Sequence, residues 1–118
     1  MADSGTSTTA ATQSVFAHHQ GAFAEGLDAL MSDYDRDSVL ITPEAEYRGL
    51  AAIRGFFQAF LAQATPAFWE TFKVQLQWVD GPVAYLVWHA RPSIALAADT
   101  LYVRNGKIAV QTFTPLSS

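Results

Sequence analysis

The chain contains no cysteine and little basic charge, and both absences exclude classes of function. Without cysteine there are no disulfide bridges, no thiolate nucleophile and no thiolate metal site. Only 7 of the 118 residues are lysine or arginine, they are scattered along the chain, and the formal net charge is −4. A nucleic-acid-binding face needs clustered basic side chains, so we expect no nucleic-acid partner.

Long apolar runs are absent as well. The longest are about half of the ~20 residues that a membrane-spanning helix needs, so we expect no membrane partner. Residues 1–14 have neither the basic nor the apolar region of a signal peptide, and we therefore expect a cytoplasmic protein. A hydrophobic content of 50% is too high for a disordered chain. We expect a flexible segment at residues 1–12 and a single domain at residues 13–118.

The hydrophobic periodicity changes once along the chain, from helical to alternating. Apolar side chains at helical spacing predict a first helix that ends at Gly26, a short helix at Asp28–Tyr34 and a strongly amphipathic helix at Leu50–Ala64. After Pro66 the period is two, which predicts strands at residues 71–79, 83–91, 97–104 and 107–114. The pattern indicates an α+β fold, with three N-terminal helices on one face of a curved, mostly antiparallel sheet.

Three stretches of the chain together resemble a known family. They are AFAEGLDALMSDYDRDSVLITPEAEYRGLAAIRGFF (Ala22–Phe57), VAYLVWHA (Val83–Ala90) and ADTLYVRNGKIAVQTF (Ala98–Phe113). In the order of their helices and strands they are similar to the nuclear transport factor 2-like superfamily, in particular its SnoaL-like and ketosteroid isomerase-like branch. The resemblance implies a cone-shaped α+β barrel with a conical pocket, commonly in a homodimer. The superfamily includes isomerases, epoxide hydrolases, polyketide cyclases, dehydratases and non-catalytic binding domains, so fold alone does not choose the function.

Asp99 is the first candidate catalytic residue, because its strand should turn it toward the apolar side of the sheet. It shares the parity of Leu101 and Val103, whereas Arg104 lies on the opposite face. A carboxylate on an apolar face must be paired or have a raised pKa, and such groups are candidate proton donors or bases. The alternative is a structural acceptor of hydrogen bonds.

His19 is the second candidate, since it lies in the apolar stripe of the first helix. A lone histidine there is more often a core residue than a catalytic one. The resemblance, however, aligns His19 with the oxyanion-hole tyrosine of ketosteroid isomerase and Asp99 with the protonated, hydrogen-bond-donating aspartate of that enzyme. Thr42 stands where the enzyme has its general base, so the resemblance leaves that role without an occupant.

His89 is the third candidate. A hairpin register that pairs His89 with Asp99 would form a His–Asp dyad suited to general-base chemistry. A shift of one residue would set Trp88 there instead, and sequence alone does not decide the register.

The abundant aromatic side chains predict a pocket for an apolar, cyclic or aromatic small molecule. We expect no metal, because the acidic turn that begins at Asp33 lacks the glycine that a calcium loop requires. We expect no organic cofactor, because acid–base chemistry by side chains requires none. The candidate ligand-binding residues are Phe16, Tyr34, Thr42, Phe57, Phe60, Trp69, Trp88, Leu101 and Phe113.

Three functions remain open at this point. The first is an acid–base enzyme of isomerase, cyclase or dehydratase type. The second is a module that binds an apolar metabolite without turnover, and the third is a structural homodimerisation domain. For one register Ala84, Leu86 and Trp88 form an apolar outer sheet face, which predicts a homodimer through the sheet.

Overall fold

The computed structural model describes residues 4–116, with side chains from residue 8 onward. Within this range the chain forms helices first and a run of strands afterwards, as the periodicity predicts. In chain order the elements are α1 (Ser4–Glu25), α2 (Leu27–Met31), β1 (Val39–Ile41), β2 (Glu46–Arg48), α3 (Gly49–Gln63), α4 (Pro66–Thr71), β3 (Phe72–Asp80), β4 (Val83–Ala90), β5 (Ile94–Arg104) and β6 (Lys107–Leu116).

The six strands form one curved, open sheet in the order β2-β1-β6-β5-β4-β3. Only the β1–β6 pair is parallel among these strands, so the sheet is mostly antiparallel. The helices pack on its inner face, which confirms the α+β class. The sheet does not close into the barrel that the resemblance implies, because β2 and β3 remain edge strands.

Two local features of the sequence determine how the elements connect. Asn105 and Gly106 both have positive φ, 56° and 74°, which gives the expected two-residue turn between β5 and β6. Helix α4, which the periodicity did not predict, starts with Thr65, whose side chain accepts a hydrogen bond from the Phe68 backbone, and with Pro66 in the first turn. The chain therefore has four helices in its described part instead of three.

Alternation along β4 separates the two faces of the sheet. Ala84, Leu86, Trp88 and Ala90 are buried in the core together with residues of α1 and α3. The register that would place Ala84, Leu86 and Trp88 on the outer face is therefore wrong. The intervening residues of β4 lie on the outer face, and they are only partly buried.

Helix α1 begins earlier than the periodicity indicates. Residues 4–12, which the composition placed in a flexible segment, are helical, and residues 1–3 lie outside the described range. The turn between β3 and β4 holds this part of the helix. The Thr12 hydroxyl donates to the Gly81 carbonyl at 2.7 Å, and the Thr9 hydroxyl accepts from the Gly81 backbone N–H at 2.9 Å. Among residues 4–116 no helix has both the length and the hydropathy needed to cross a bilayer.

We predict that Thr12→Val destabilises the protein. Thr12 is fully buried, and its hydroxyl is the group that donates to the Gly81 carbonyl. Removal of the hydroxyl leaves this carbonyl without that donor, which should lower the free energy of unfolding by about 1–3 kcal/mol. Urea denaturation followed by tryptophan fluorescence measures the change, and Thr8→Val, at a partly exposed position, is the control. Equal stability of the two variants would contradict an anchoring role for Thr12.

Candidate functional site

Helices α1, α3 and α4 and the inner face of the sheet enclose a cavity of about 620 Å³. Such a volume is typical of pockets for small organic molecules. Seven of its lining residues are aromatic, and Asp99 is the one charged side chain among the lining residues that the structure describes. The lining consists of Gln20, Phe23, Ala24, Phe56, Phe60, Trp69, Phe72, Trp88, Asp99 and Phe113.

Asp99 is held at the cavity wall by one donor from each neighbouring strand. It pairs with Leu86 on β4 and with Phe113 on β6. The residues diagonal to it, Trp88 and Gln111, are ~7–8 Å away, which is within reach of long side chains. The Trp88 indole N–H donates to Oδ1 at 3.0 Å, and the Gln111 amide Nε2 donates to Oδ2 at 3.1 Å.

The orientation of Gln111 depends on a further buried hydrogen bond. The Tyr34 hydroxyl donates to Gln111 Oε1, so the amide group must turn its NH₂ toward Asp99. Burial, and then the negative charges of Asp99 and Asp33, raise the pKa of Tyr34 well above its ordinary value. Tyr34 therefore stays protonated across the physiological pH range. It donates to Gln111, and Gln111 in turn donates to Asp99.

Burial raises the pKa of Asp99 from 3.8 to about 6, although the Trp88 hydrogen bond, the nearby His19 and the Gln111 hydrogen bond all act in the opposite direction. At neutral pH most of the carboxylate is therefore ionised. The resemblance implied a protonated aspartate that donates a hydrogen bond. Here both carboxylate oxygens accept N–H donors, which is the arrangement of an ionised carboxylate.

His19 does not line the cavity. Its ring is buried among Phe23, Tyr34 and Phe57, with ring centroids 5.3, 6.0 and 6.1 Å away. Its Nδ1 is 3.7 Å from Asp33 Oδ2 and makes no hydrogen bond within the described chain. Nδ1 of the neighbouring His18 takes Asp33 as its partner instead, at 2.8 Å from Oδ1 and 3.0 Å from Oδ2. The structure thus does not bring the expected oxyanion donor to the wall of the cavity that Asp99 lines.

His89 lies on the outer face of the sheet, away from the cavity. Because β4 pairs Leu86 with Asp99, the predicted His89–Asp99 pairing is wrong, and Trp88 is the β4 residue that reaches the carboxylate. Burial, and then the positive charges of Arg91 and Lys73, lower the pKa of His89. The His–Asp dyad therefore does not form.

The candidate ligand-binding residues divide into three groups. Phe60, Trp69, Trp88 and Phe113 line the cavity. A second group belongs to the packed core beside it, and consists of Phe16, Tyr34, Phe57 and Leu101. Thr42 lies in the β1–β2 turn, where its side chain bonds the backbone of Glu44 and Ala45.

Sequence reasoning missed Gln20, Phe23, Phe56, Phe72 and Gln111. Gln111 could have been predicted from the alternation of side chains along a strand, because it lies two residues from the inward-facing Phe113 on β6. The same alternation identified Asp99 as inward-facing. Phe23 belongs to the predicted apolar stripe of α1, but periodicity does not separate a cavity wall from a core.

The fold has relatives among known families and solved structures. The SnoaL-like domain model matches residues 15–111. A nuclear transport factor 2-like protein of unknown function from Burkholderia xenovorans is 19% identical, with 94% of this chain and 87% of that chain covered and a TM-score of 0.75. A provisionally assigned ketosteroid isomerase from Kribbella flavida is 15% identical, with 93% and 81% covered and a TM-score of 0.72. A provisionally assigned polyketide cyclase from Sinorhizobium meliloti is 20% identical, with 85% and 93% covered and a TM-score of 0.69. At these identities the likeness shows the fold, and no curated protein matched the chain.

We predict a pH-dependent stability difference between the wild type and Asp99→Asn. The folded state raises the pKa of Asp99 from 3.8 to about 6, so it binds the proton more tightly than the unfolded chain does. The stability from this group is present below pH 4 and is lost as the pH rises through 6. Relative to Asp99→Asn, the wild type should lose about 2 kcal/mol of unfolding free energy between about pH 4 and 7.5.

Urea denaturation of both proteins at a series of pH values measures this difference. Asp80→Asn, at an exposed position at the end of β3, should show no such change relative to the wild type. A constant difference between the wild type and Asp99→Asn over this range would contradict the raised pKa.

Proposed function

The chain belongs to the SnoaL-like domain family, and within it we propose a cytoplasmic protein that binds an apolar cyclic or aromatic molecule in the aromatic cavity and transfers a proton there through Asp99. The observation that carries this proposal is a single carboxylate, with its pKa raised to about 6, at the wall of a cavity whose other described lining residues are uncharged. A catalytic base is most effective when its pKa lies near the working pH.

Asp99 is suited to remove a proton from a bound substrate and to return it. The hydrogen bonds from Trp88 and Gln111 fix the carboxylate, so a substrate packed against the aromatic walls meets the base in one orientation. An isomerisation needs only one such group, because the same oxygen accepts the proton from one atom and delivers it to another. A cyclisation or dehydration would use the same first step.

Two structural neighbours are consistent with this chemistry. One is named a ketosteroid isomerase and the other a polyketide cyclase, and both names describe those proteins. Both provisional names refer to compounds that contain or form rings, which agrees with a cavity lined mainly by aromatic side chains. For this chain the reaction type remains part of the proposal.

A second candidate, binding without turnover, is favoured by the position of His19. Removing a proton next to a carbonyl builds negative charge on oxygen, which enzymes stabilise with hydrogen-bond donors. The donor that the resemblance supplies is buried behind Phe23 and does not line the cavity. The purely structural alternative is less favoured, because a filled cone would leave no cavity of about 620 Å³.

We predict that the wild type catalyses hydrogen–deuterium exchange at enolisable positions of cyclic and aromatic ketones. Since the ionised carboxylate is the active form, the rate should rise with pH through about 6 and then level off. Asp99→Asn should lower the rate by about 10²–10⁴-fold. Proton NMR in D₂O measures the exchange on a panel of such ketones.

Asp80→Asn is the charge-matched control and should exchange at the wild-type rate. Full activity of Asp99→Asn would contradict the proposed catalytic role. Saturable binding of the ketones with no exchange at any pH would select the binding-module alternative.

We also propose that a second copy of the chain covers the outer face of the sheet. Leu76, Trp78 and Tyr102 on this face are 49%, 51% and 39% exposed. They flank the partly buried Tyr85 and Val87 of β4. Trp78 lies directly opposite Tyr85, so the apolar side chains form one continuous area. An exposed apolar area of this kind is typical of a protein interface.

We predict that the wild type sediments as a dimer at micromolar concentration and that Trp78→Lys weakens this dimer at least tenfold, because the substitution puts a charge into the apolar area. Sedimentation velocity over a concentration series measures the dissociation constant. Gln58→Lys, at an exposed position of α3, is the control. A monomeric wild type would contradict the proposal.

A further inference from the structure

The charges and rings that line the cavity indicate a class of ligand. We propose that the cavity takes an apolar organic cation, such as a quaternary ammonium ion or a protonated tertiary amine, with its charge beside Asp99. The inference rests on the proposed function, because it names the ligand class of the same site. It follows from a lining of seven aromatic side chains and one carboxylate, in which the described residues contribute no lysine, arginine or histidine.

The carboxylate has room for a ligand. A carboxylate offers about four acceptor positions on its two oxygens. Trp88 and Gln111 each occupy one of them, and no other donor to Asp99 is present in the described chain. Because Asp99 lines the cavity, its remaining acceptor positions are available to a ligand there. A cation in the cavity would therefore meet a fixed negative charge.

The rings add to this negative potential. The face of an aromatic ring carries partial negative charge and attracts a cation within ~6 Å of the ring centroid. Phe60 is nearly perpendicular to Phe113, at 88° and 6.2 Å, whereas Trp88 is parallel to Phe113, at 2° and 6.1 Å. Trp69 is tilted by 53° against Phe23. With so many orientations, several rings can direct a face toward one bound cation.

Other ligand classes fit the lining less well. An anion would be repelled by Asp99, and no basic side chain among the described lining residues would offset that repulsion. A neutral apolar ligand would displace water from the carboxylate and leave its charge without compensation, which is unfavourable. A weakly hydrated organic cation avoids both costs and buries its apolar groups against the rings.

Two probes of the same shape test this inference on the wild type. Trimethylphenylammonium and tert-butylbenzene differ only in the central atom, nitrogen or carbon, and so in charge. Titration at neutral pH, followed by NMR of the protein, measures both dissociation constants. We expect trimethylphenylammonium to bind at least tenfold more tightly than tert-butylbenzene.

Asp99→Asn separates the effect of the charge from that of the cavity shape. This variant should lose at least tenfold in affinity for trimethylphenylammonium and bind tert-butylbenzene at least as tightly as the wild type does, which also shows that the cavity is still folded. Asp80→Asn removes the same charge at an exposed position and should change neither affinity.

The outcomes distinguish the two proposals. Binding of tert-butylbenzene as tight as that of the cation, or a cation preference that survives in Asp99→Asn, would overturn the cation inference and leave an apolar binding site in place. Failure of both probes to bind the wild type would overturn the cation inference and the proposed ligand-binding function together.

Discussion

The arrangement of the site depends on one requirement: the inward-facing carboxylate of Asp99 must be hydrogen-bonded. Asp99 occupies the middle of β5 on the face that the helices cover, where an unpaired charge would be strongly destabilising. The sheet supplies donors from both sides, Trp88 on β4 and Gln111 on β6. Tyr34 then determines which way the Gln111 amide points. Three strands and the segment after α2 are thus coupled through one side chain, and any change in their register would leave its charge uncompensated.

Helix α1 contributes side chains both to the packed core and to the wall of the cavity. Its middle contributes Phe16 and His19 to the packed interior, and its last turns contribute Gln20 and Phe23 to the cavity wall. Helix α4 covers the other side with Trp69, whose ring lies 5.6 Å from both Phe23 and Phe72. The cavity therefore lies between α1, α3, α4 and the inner face of the curved sheet. Dense packing around His19 explains why a polar residue so near Asp99 does not reach the cavity.

The parts of this arrangement that follow from local rules could be predicted from the sequence. Strand parity placed Asp99 inward with Leu101, and the Asn105-Gly106 turn was recognised from its conformational preference. The β4–β5 register could not be predicted, because it depends on the irregular pairing between Trp88 and Ala90 near the end of the hairpin. The observed pairing of Leu86 with Asp99 differs from the predicted pairing of His89 with Asp99 by three residues. Because this shift is odd, it turns His89 to the outer face and leaves the hydrogen-bond donor Trp88 beside the carboxylate. Which apolar side chains leave space between them depends on helix positions that periodicity does not give.

The charge of the ligand decides which role Asp99 performs. A neutral ligand that displaces water makes the ionised form still less favourable, so it raises the pKa of Asp99 above about 6 and favours proton uptake from the substrate. A cation beside the carboxylate acts in the opposite direction and keeps Asp99 ionised as a counter-ion. The two roles are therefore alternatives at any one moment, and they coexist in one reaction only if proton transfer to Asp99 also removes the positive charge of the ligand. A substrate that becomes neutral when it gives up its proton satisfies both the electrostatics of the cavity and the acid–base chemistry proposed for its carboxylate.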